Sequence, residues 1–166
     1  MRILLNVCGV VTAIIALSAT APSAVAQGMY NCQDVGWGGG PPEPLGDREG
    51  HGITVNHYSC RVDSGPMSGA VATGTDIYEW DGPKGVERAN VGVARKPGAT
   101  VMYQDTGGNF ELTMVDGKVT GWTASGKGVN LIATGSAASL AGKPYAWTAK
   151  PTGPMTWTVD SIEGKQ

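Results

Sequence analysis

Glycine sets the first constraint on this chain. There are 26 glycines in 166 residues, and only Gly9 precedes Gln27. Glycine gives up more backbone freedom on folding than any other residue and weakens helix interiors, so no helical pattern of ten residues survives its spacing. It suits tight turns, bulges and places where backbone and side chain approach closely. Between the glycines, apolar and polar residues alternate over short runs, the period of a half-buried strand. The most regular run is 107–134. Phe110, Leu112 and Met114 alternate with Glu111 and Thr113, and Asp116-Gly117 is a strong short-range hairpin signal. Thr and aromatic residues follow over 119–125, then Gly126 and Gly128 interrupt the rhythm before 129–134. A lone hairpin is marginally stable, so this one predicts a larger sheet around it.

The N-terminus reads as a leader. Met1-Arg2 is a short basic start, residues 3–19 are mostly apolar, and Ala24-Val25-Ala26 fits small-residue cleavage before Gln27. The run is short for a membrane span, so a cleaved signal peptide (1–26) and a periplasmic or secreted product are expected, with no membrane span after cleavage. Cys8 leaves with this leader. The formal net charge is −2, and loss of Arg2 makes the remainder more negative. No basic run exceeds Arg95-Lys96. Nucleic acid and anionic lipid, which both require concentrated positive charge, are therefore excluded as expected partners.

Two cysteines remain, Cys32 and Cys60. In an exported chain they read as one disulfide that ties a Pro/Gly-rich arm (27–50) to the domain proper (51–166). A metal pair completed by His51 and His57, or two buried thiols, is the rival arrangement. Trp37, beside the run Gly38-Gly39-Gly40-Pro41-Pro42, reads as packing that arm or as covering a barrel end.

Strands are expected over 53–62, 69–80, 86–95, 99–104, the hairpin at 107–134, 145–150 and 155–162. Turns fall at 63–66, 81–85, 97–98, 105–108 and 151–154. The strand at 86–95 reads as an edge strand because of Glu87, Arg88 and Asn90. About eight short strands with regular turn signals predict an all-β domain: a small antiparallel barrel, with a β-sandwich as the alternative. A barrel removes the exposed edges that short secreted strands otherwise present. Any edge left open would favour a homo-oligomer.

The runs TGTDIYEW (73–80) and GNFELTMVDGKVTGWTASGKG (108–128) resemble the β-barrels of the allene oxide cyclase and dirigent superfamily. The likeness covers roughly 53–162. It implies a barrel that holds an apolar or phenolic small molecule and, in some members, guides a cyclisation or coupling without a cofactor. No catalytic residue of that superfamily aligns here, so none is carried over. Lipocalins are the competing barrel class, echoed only loosely by Gly36-Trp37 and Gly121-Trp122.

No hydrolase elbow, phosphate loop, dinucleotide fingerprint, zinc helix or calcium loop is present, so neither a cofactor nor a metal is expected. Candidate acid–base residues are His57, Asp76 and Glu79. His57 carries an imidazole, the side chain type best suited to acid–base chemistry at neutral pH. Asp76 becomes a proton shuttle if it shares an interior face with Tyr78, because burial raises a carboxyl pKa. Candidate ligand-binding residues are Tyr58, Arg61, Tyr78, Tyr103, Trp122, Tyr145 and Trp147, where rings line a cavity and hydroxyls punctuate it. Three functions follow: a binder of a small apolar or aromatic molecule, a cofactor-free isomerase or cyclase in the same cavity, or a solid interaction domain. A cavity separates the third from the first two. A displaced ionisable group inside it separates the second from the first.

Overall fold

The computed structural model describes residues 27–36 and 41–164; the leader and Trp37 lie outside the described residues. Nine strands follow in order: β1 (Gln27–Asp34), β2 (Glu43–Pro44), β3 (His51–Val62), β4 (Val71–Asp81), β5 (Lys84–Lys96), β6 (Ala99–Val115), β7 (Lys118–Gly135), β8 (Pro144–Gly153) and β9 (Thr156–Glu163). From β3 to β9 each strand pairs antiparallel with the next. β1 then pairs with β9 on one side and β3 on the other. Eight strands thus close an up-and-down barrel, and the two-residue β2 adds a short pairing to β3. Closure leaves no long edge and rules out the sandwich.

The segment read as a turn-rich arm is partly a barrel strand. Gln27–Asp34 lacks the β-branched residues that mark strands, but Tyr30 and Cys32 turn inward while Met29 and Asn31 turn out. Tertiary pairing on both sides overrides weak local propensity. Strand β5 is likewise not an edge, because it pairs with β4 and β6. Segment 105–108, read as a turn, lies inside β6, where the register shifts between Asp105 and Gly107. Gly126 and Gly128 do not interrupt β7, which runs unbroken through both. The hairpin turn is where Asp116-Gly117 predicts it, with positive φ at both residues.

One end of the barrel is closed. The β3–β4 connection brings in Met67 and Ala70, and the 3₁₀ turn Ala138–Leu140 brings in Leu140; both pack beneath Val62, Ala72, Ala94 and Val101. The opposite end carries the β1–β3 connection and the β4–β5, β6–β7 and β8–β9 turns. There the β6–β7 ladder continues to Val115 and Lys118, past the last pairings of β5 with β6 (Lys84 with Glu111) and β7 with β8 (Ala124 with Ala149). The hairpin tip therefore projects over the mouth, with Met114, Val115 and Val119 exposed.

Cys32 and Cys60 face each other across the β1–β3 ladder and form a disulfide, so neither sulfur is available as a thiolate ligand. The sequence separation is 28 residues, for which chain entropy gives roughly 3–4 kcal/mol of stabilisation. Cys32→Ala/Cys60→Ala protein should lose about that much in urea unfolding. A loss below about 1 kcal/mol would mean that pairing of β1 on both sides already holds the barrel shut.

Candidate functional site

Side chains alternate inward and outward along every strand, so the interior is assembled by parity. From β3 come Thr54, Asn56 and Tyr58; from β4, Asp76, Tyr78 and Trp80; from β6, Tyr103, Asp105 and Phe110; from β8, Tyr145 and Trp147. On β5 a register shift opposite Ile77 and Tyr78 changes the parity, so both Glu87 and Asn90 turn inward. Four interior glycines sit directly across from rings: Gly74 from Tyr58, Gly92 from Tyr103, Gly126 from Trp147 and Gly128 from Tyr145. Each ring lies over its glycine. Aromatic residues thereby flatten against the wall, leaving a cavity of about 460 Å³. That volume suits one small molecule.

The cavity has two zones. Towards the mouth, Phe110 stacks on Trp122 at 4.6 Å and meets Trp80 edge-on at 5.0 Å, while Trp122 meets Trp157 at 6.5 Å. Pro41 and Pro42, from the β1–β3 connection, also line this region. Deeper lies a polar belt. Tyr58 Oη donates to Asn90 Oδ1 at 2.8 Å and lies 3.1 Å from Tyr103 Oη. Asn90 Nδ2 donates to Asp105 Oδ2 at 2.8 Å, and Tyr145 Oη donates to Asp105 Oδ1. Both Asp105 oxygens are thus engaged. Asn56 Nδ2 donates to Asp76 Oδ1 at 2.8 Å; among the described residues the other Asp76 oxygen accepts nothing. Asp76 is only 9% exposed.

Electrostatics follow from burial. Desolvation pushes the Asp76 carboxyl from its ordinary 3.8 up to about 7, the Asn56 hydrogen bond offsets part of this, and Asp34 and Asp105 add repulsion. Asp105, on the cavity wall, and Glu87, buried beside it, form a closely spaced acidic pair. Burial pushes both upward, Asp105 less because Tyr145 and Asn90 donate to it. Tyr78 Oη donates to Glu87 Oε1 at 3.3 Å. Burial also drives Tyr58, Tyr78, Tyr103 and Tyr145 well above the ordinary phenol value, so these hydroxyls stay protonated and act as donors.

Asp76 is the one acid–base candidate from the sequence that reaches the cavity, and it does share the interior with Tyr78. His57 and Glu79 do not reach it. Each sits at the opposite parity to an inward neighbour, Tyr58 and Tyr78. His57 Nδ1 lies 2.8 Å from Thr75 Oγ1 on the outer surface. Glu79 bridges His51 Nε2 at 2.9 Å and Arg88 Nε at 2.7 Å, also outside. Arg61, read as a ligand contact, points out and pairs with Asp63 at 2.6 Å. Tyr58, Tyr78, Tyr103, Trp122, Tyr145 and Trp147 all line the cavity.

Sequence reasoning missed Asp105, because an Asp before two glycines is a turn signature. It missed Asn90 and Glu87, because the β5 bulge that re-aims them has no signature of its own. Asp34 and Glu163, also cavity-lining, were hidden in segments read as an arm and a chain end.

No family model matches this chain, and no curated protein or solved structure matches it. The likeness to allene oxide cyclase and dirigent barrels therefore extends to the closed antiparallel barrel that several superfamilies share.

Proposed function

We propose that this protein is a cofactor-free proton-transfer catalyst, an isomerase or cyclase acting on a small, largely apolar or aromatic molecule inside the barrel. The observation that carries this reading is Asp76: a carboxyl facing the cavity, with one oxygen that accepts nothing from the described residues and a pKa displaced to about 7. A purely apolar wall would favour simple binding, and a filled interior a protein-contact role. A group poised near neutrality can both take and return a proton at comparable cost. The tyrosines hold their protons too firmly to serve as bases, and Asp105 has both oxygens committed.

On this reading the mouth aromatics take the flat body of the substrate and align one C–H or O–H with the open Asp76 oxygen. Asp76 removes that proton and delivers it to a second atom of the same molecule, so no oxidant, metal or second substrate is consumed. Confinement among rings fixes the reactive conformer and excludes bulk water. The leader-like N-terminus and the Cys32–Cys60 bond support a periplasmic or secreted site of action.

The test begins with native mass spectrometry of the purified protein, where a bound small molecule is expected; it is released by denaturation and returned to fresh enzyme in D2O. Wild type should introduce deuterium at the transferred position. Asp76→Asn should slow this by about 10²–10⁴-fold at saturating substrate. His57→Ala and Glu79→Gln should exchange at the wild-type rate. Unchanged exchange in Asp76→Asn would remove Asp76 from the mechanism, and no exchange in wild type would leave a binding protein.

A further inference from the structure

The walls of the cavity carry charge of one sign. Asp34, Asp76, Asp105 and Glu163 all line it, and among its lining residues there is no lysine, arginine or histidine. Among the described residues Arg61 pairs with Asp63, Arg88 with Glu79, and Arg48 with Asp47 and Asp81, all on the outer surface; Lys143 lies near enough to Glu163 to favour its charged form but is not part of the lining. An anionic ligand would have to desolvate beside four carboxyls with no cationic side chain on the lining to receive it.

Rings supply the second argument. Tyr58 meets Trp157 at 73° and 6.5 Å, and Tyr103 meets Tyr145 at 82° and 6.5 Å. Edge-to-face pairs of this kind turn one ring's negative face away from its partner, and Trp and Tyr faces attract cations. The third argument is the Asp76 carboxyl, 9% exposed and lining the cavity, with an oxygen that accepts no hydrogen bond from the described residues. A charged N–H donor satisfies it as no apolar molecule can.

We infer that the substrate is an organic cation, a protonated amine or iminium borne on a flat apolar body, with its nitrogen at the Asp76–Asp105 belt and its body against Phe110 and Trp122. This names the substrate class for the proton-transfer reading and rests on the same cavity. An iminium would suit that chemistry, because its positive nitrogen acidifies the neighbouring C–H that Asp76 would deprotonate.

The test uses three naphthalene probes of nearly equal size: naphthylmethylammonium, naphthylmethanol and naphthoate. Each is titrated into full-length mature protein at about pH 8, above the Asp76 value of about 7, and read by calorimetry and tryptophan fluorescence. The ammonium should bind about tenfold or more tighter than the alcohol, with naphthoate weakest. Asp76→Asn should erase most of that preference, while Glu79→Gln, which removes an acid from the outer surface, should retain it. Preference for the alcohol or naphthoate, equal binding of all three, no binding of the ammonium, or loss of preference in Glu79→Gln would each overturn the inference. Deuterium exchange stays separate from this result. Ammonium selectivity without exchange would sink the catalytic reading alone, and exchange on a neutral substrate would sink the cation alone.

Discussion

Urea unfolding of this barrel should show it several kcal/mol less stable at about pH 8 than at about pH 5. The sign follows from the buried acids. Asp76 moves from 3.8 to about 7 in the folded protein. The fold therefore keeps a proton that the unfolded chain releases once the pH exceeds about 4. The stabilising difference is fully present below 3.8, declines as pH rises, and is gone above about 7. A displacement of that size corresponds to about 4 kcal/mol at most. Glu87, Asp105, Asp34 and Glu163 are displaced upward too, mainly by burial, and act in the same direction. Asp34 and Asp105 raise Asp76 by repulsion, and Asp105 and Asp76 raise Glu87, so these shifts do not simply add. His51, raised by Asp47 and Glu79, also loses its contribution as pH rises; its ring is buried, but its carboxylate partners reach solvent, where screening keeps the contribution small. Asp47, Asp63 and Glu79 are lowered by their partners and lose stabilisation only under more acidic conditions, outside this interval.

Asp76→Asn should flatten much of the profile and stabilise the protein at about pH 8, because an amide in that position carries no charge to desolvate. A gain in stability together with a loss of turnover is the pattern expected where a site holds an unfavourable group for its chemistry. A wild-type profile level between the two pH values would contradict the buried, displaced carboxyls on which both the catalytic and the cation readings depend.

The sequence made the barrel legible because alternation between glycines is a local signal, and the Asp116-Gly117 turn and the Cys32–Cys60 pair are local or nearly so. It made half of the site legible for the same reason. Once Tyr58 and Tyr78 face inward, parity sends Asp76 in and His57 and Glu79 out. The other half was hidden by events with no local signature. A bulge in β5 inverts parity between Glu87 and Asn90. Another in β6 allows Asp105 to stay in a continuous strand where Asp followed by glycines implies a turn. The polar segment Gln27–Asp34 becomes a strand only because β9 and β3 flank it. These are tertiary facts, and the residues they place are the ones that turn a ring-lined tube into an acidic cavity.

The glycines that first identified the fold also seat that cavity, and this leads to the second large effect. A methyl group at Gly92 would lie 2.3 Å from Tyr103 Oη and 2.4 Å from its Cζ, a clash with the far half of the ring and with no backbone atom among its three nearest neighbours. Tyr103 is held in place through its hydroxyl at Tyr58, so it cannot retreat freely. Gly92→Ala should therefore cost about 3 kcal/mol, at the upper part of the usual overpacking range. Tyr103→Ala should cost an amount near the low end of about 3–5 kcal/mol, since one side of the ring already faces the cavity. In the double variant the methyl occupies space that the ring has left. Its loss should fall short of the sum by about 1–3 kcal/mol, the size of coupling expected for side chains in direct contact. Gly126→Ala with Trp147→Ala provides the contrast. There the added carbon also meets the Gly107 carbonyl oxygen at 2.7 Å, and removal of the ring cannot relieve a backbone clash. The Gly92–Tyr103 cycle should show rescue and the Gly126–Trp147 cycle much less, both measured by urea unfolding at one pH. Additive losses at Gly92 and Tyr103 would mean that the glycine serves the backbone rather than the ring, and that the tyrosine network rests on some other support.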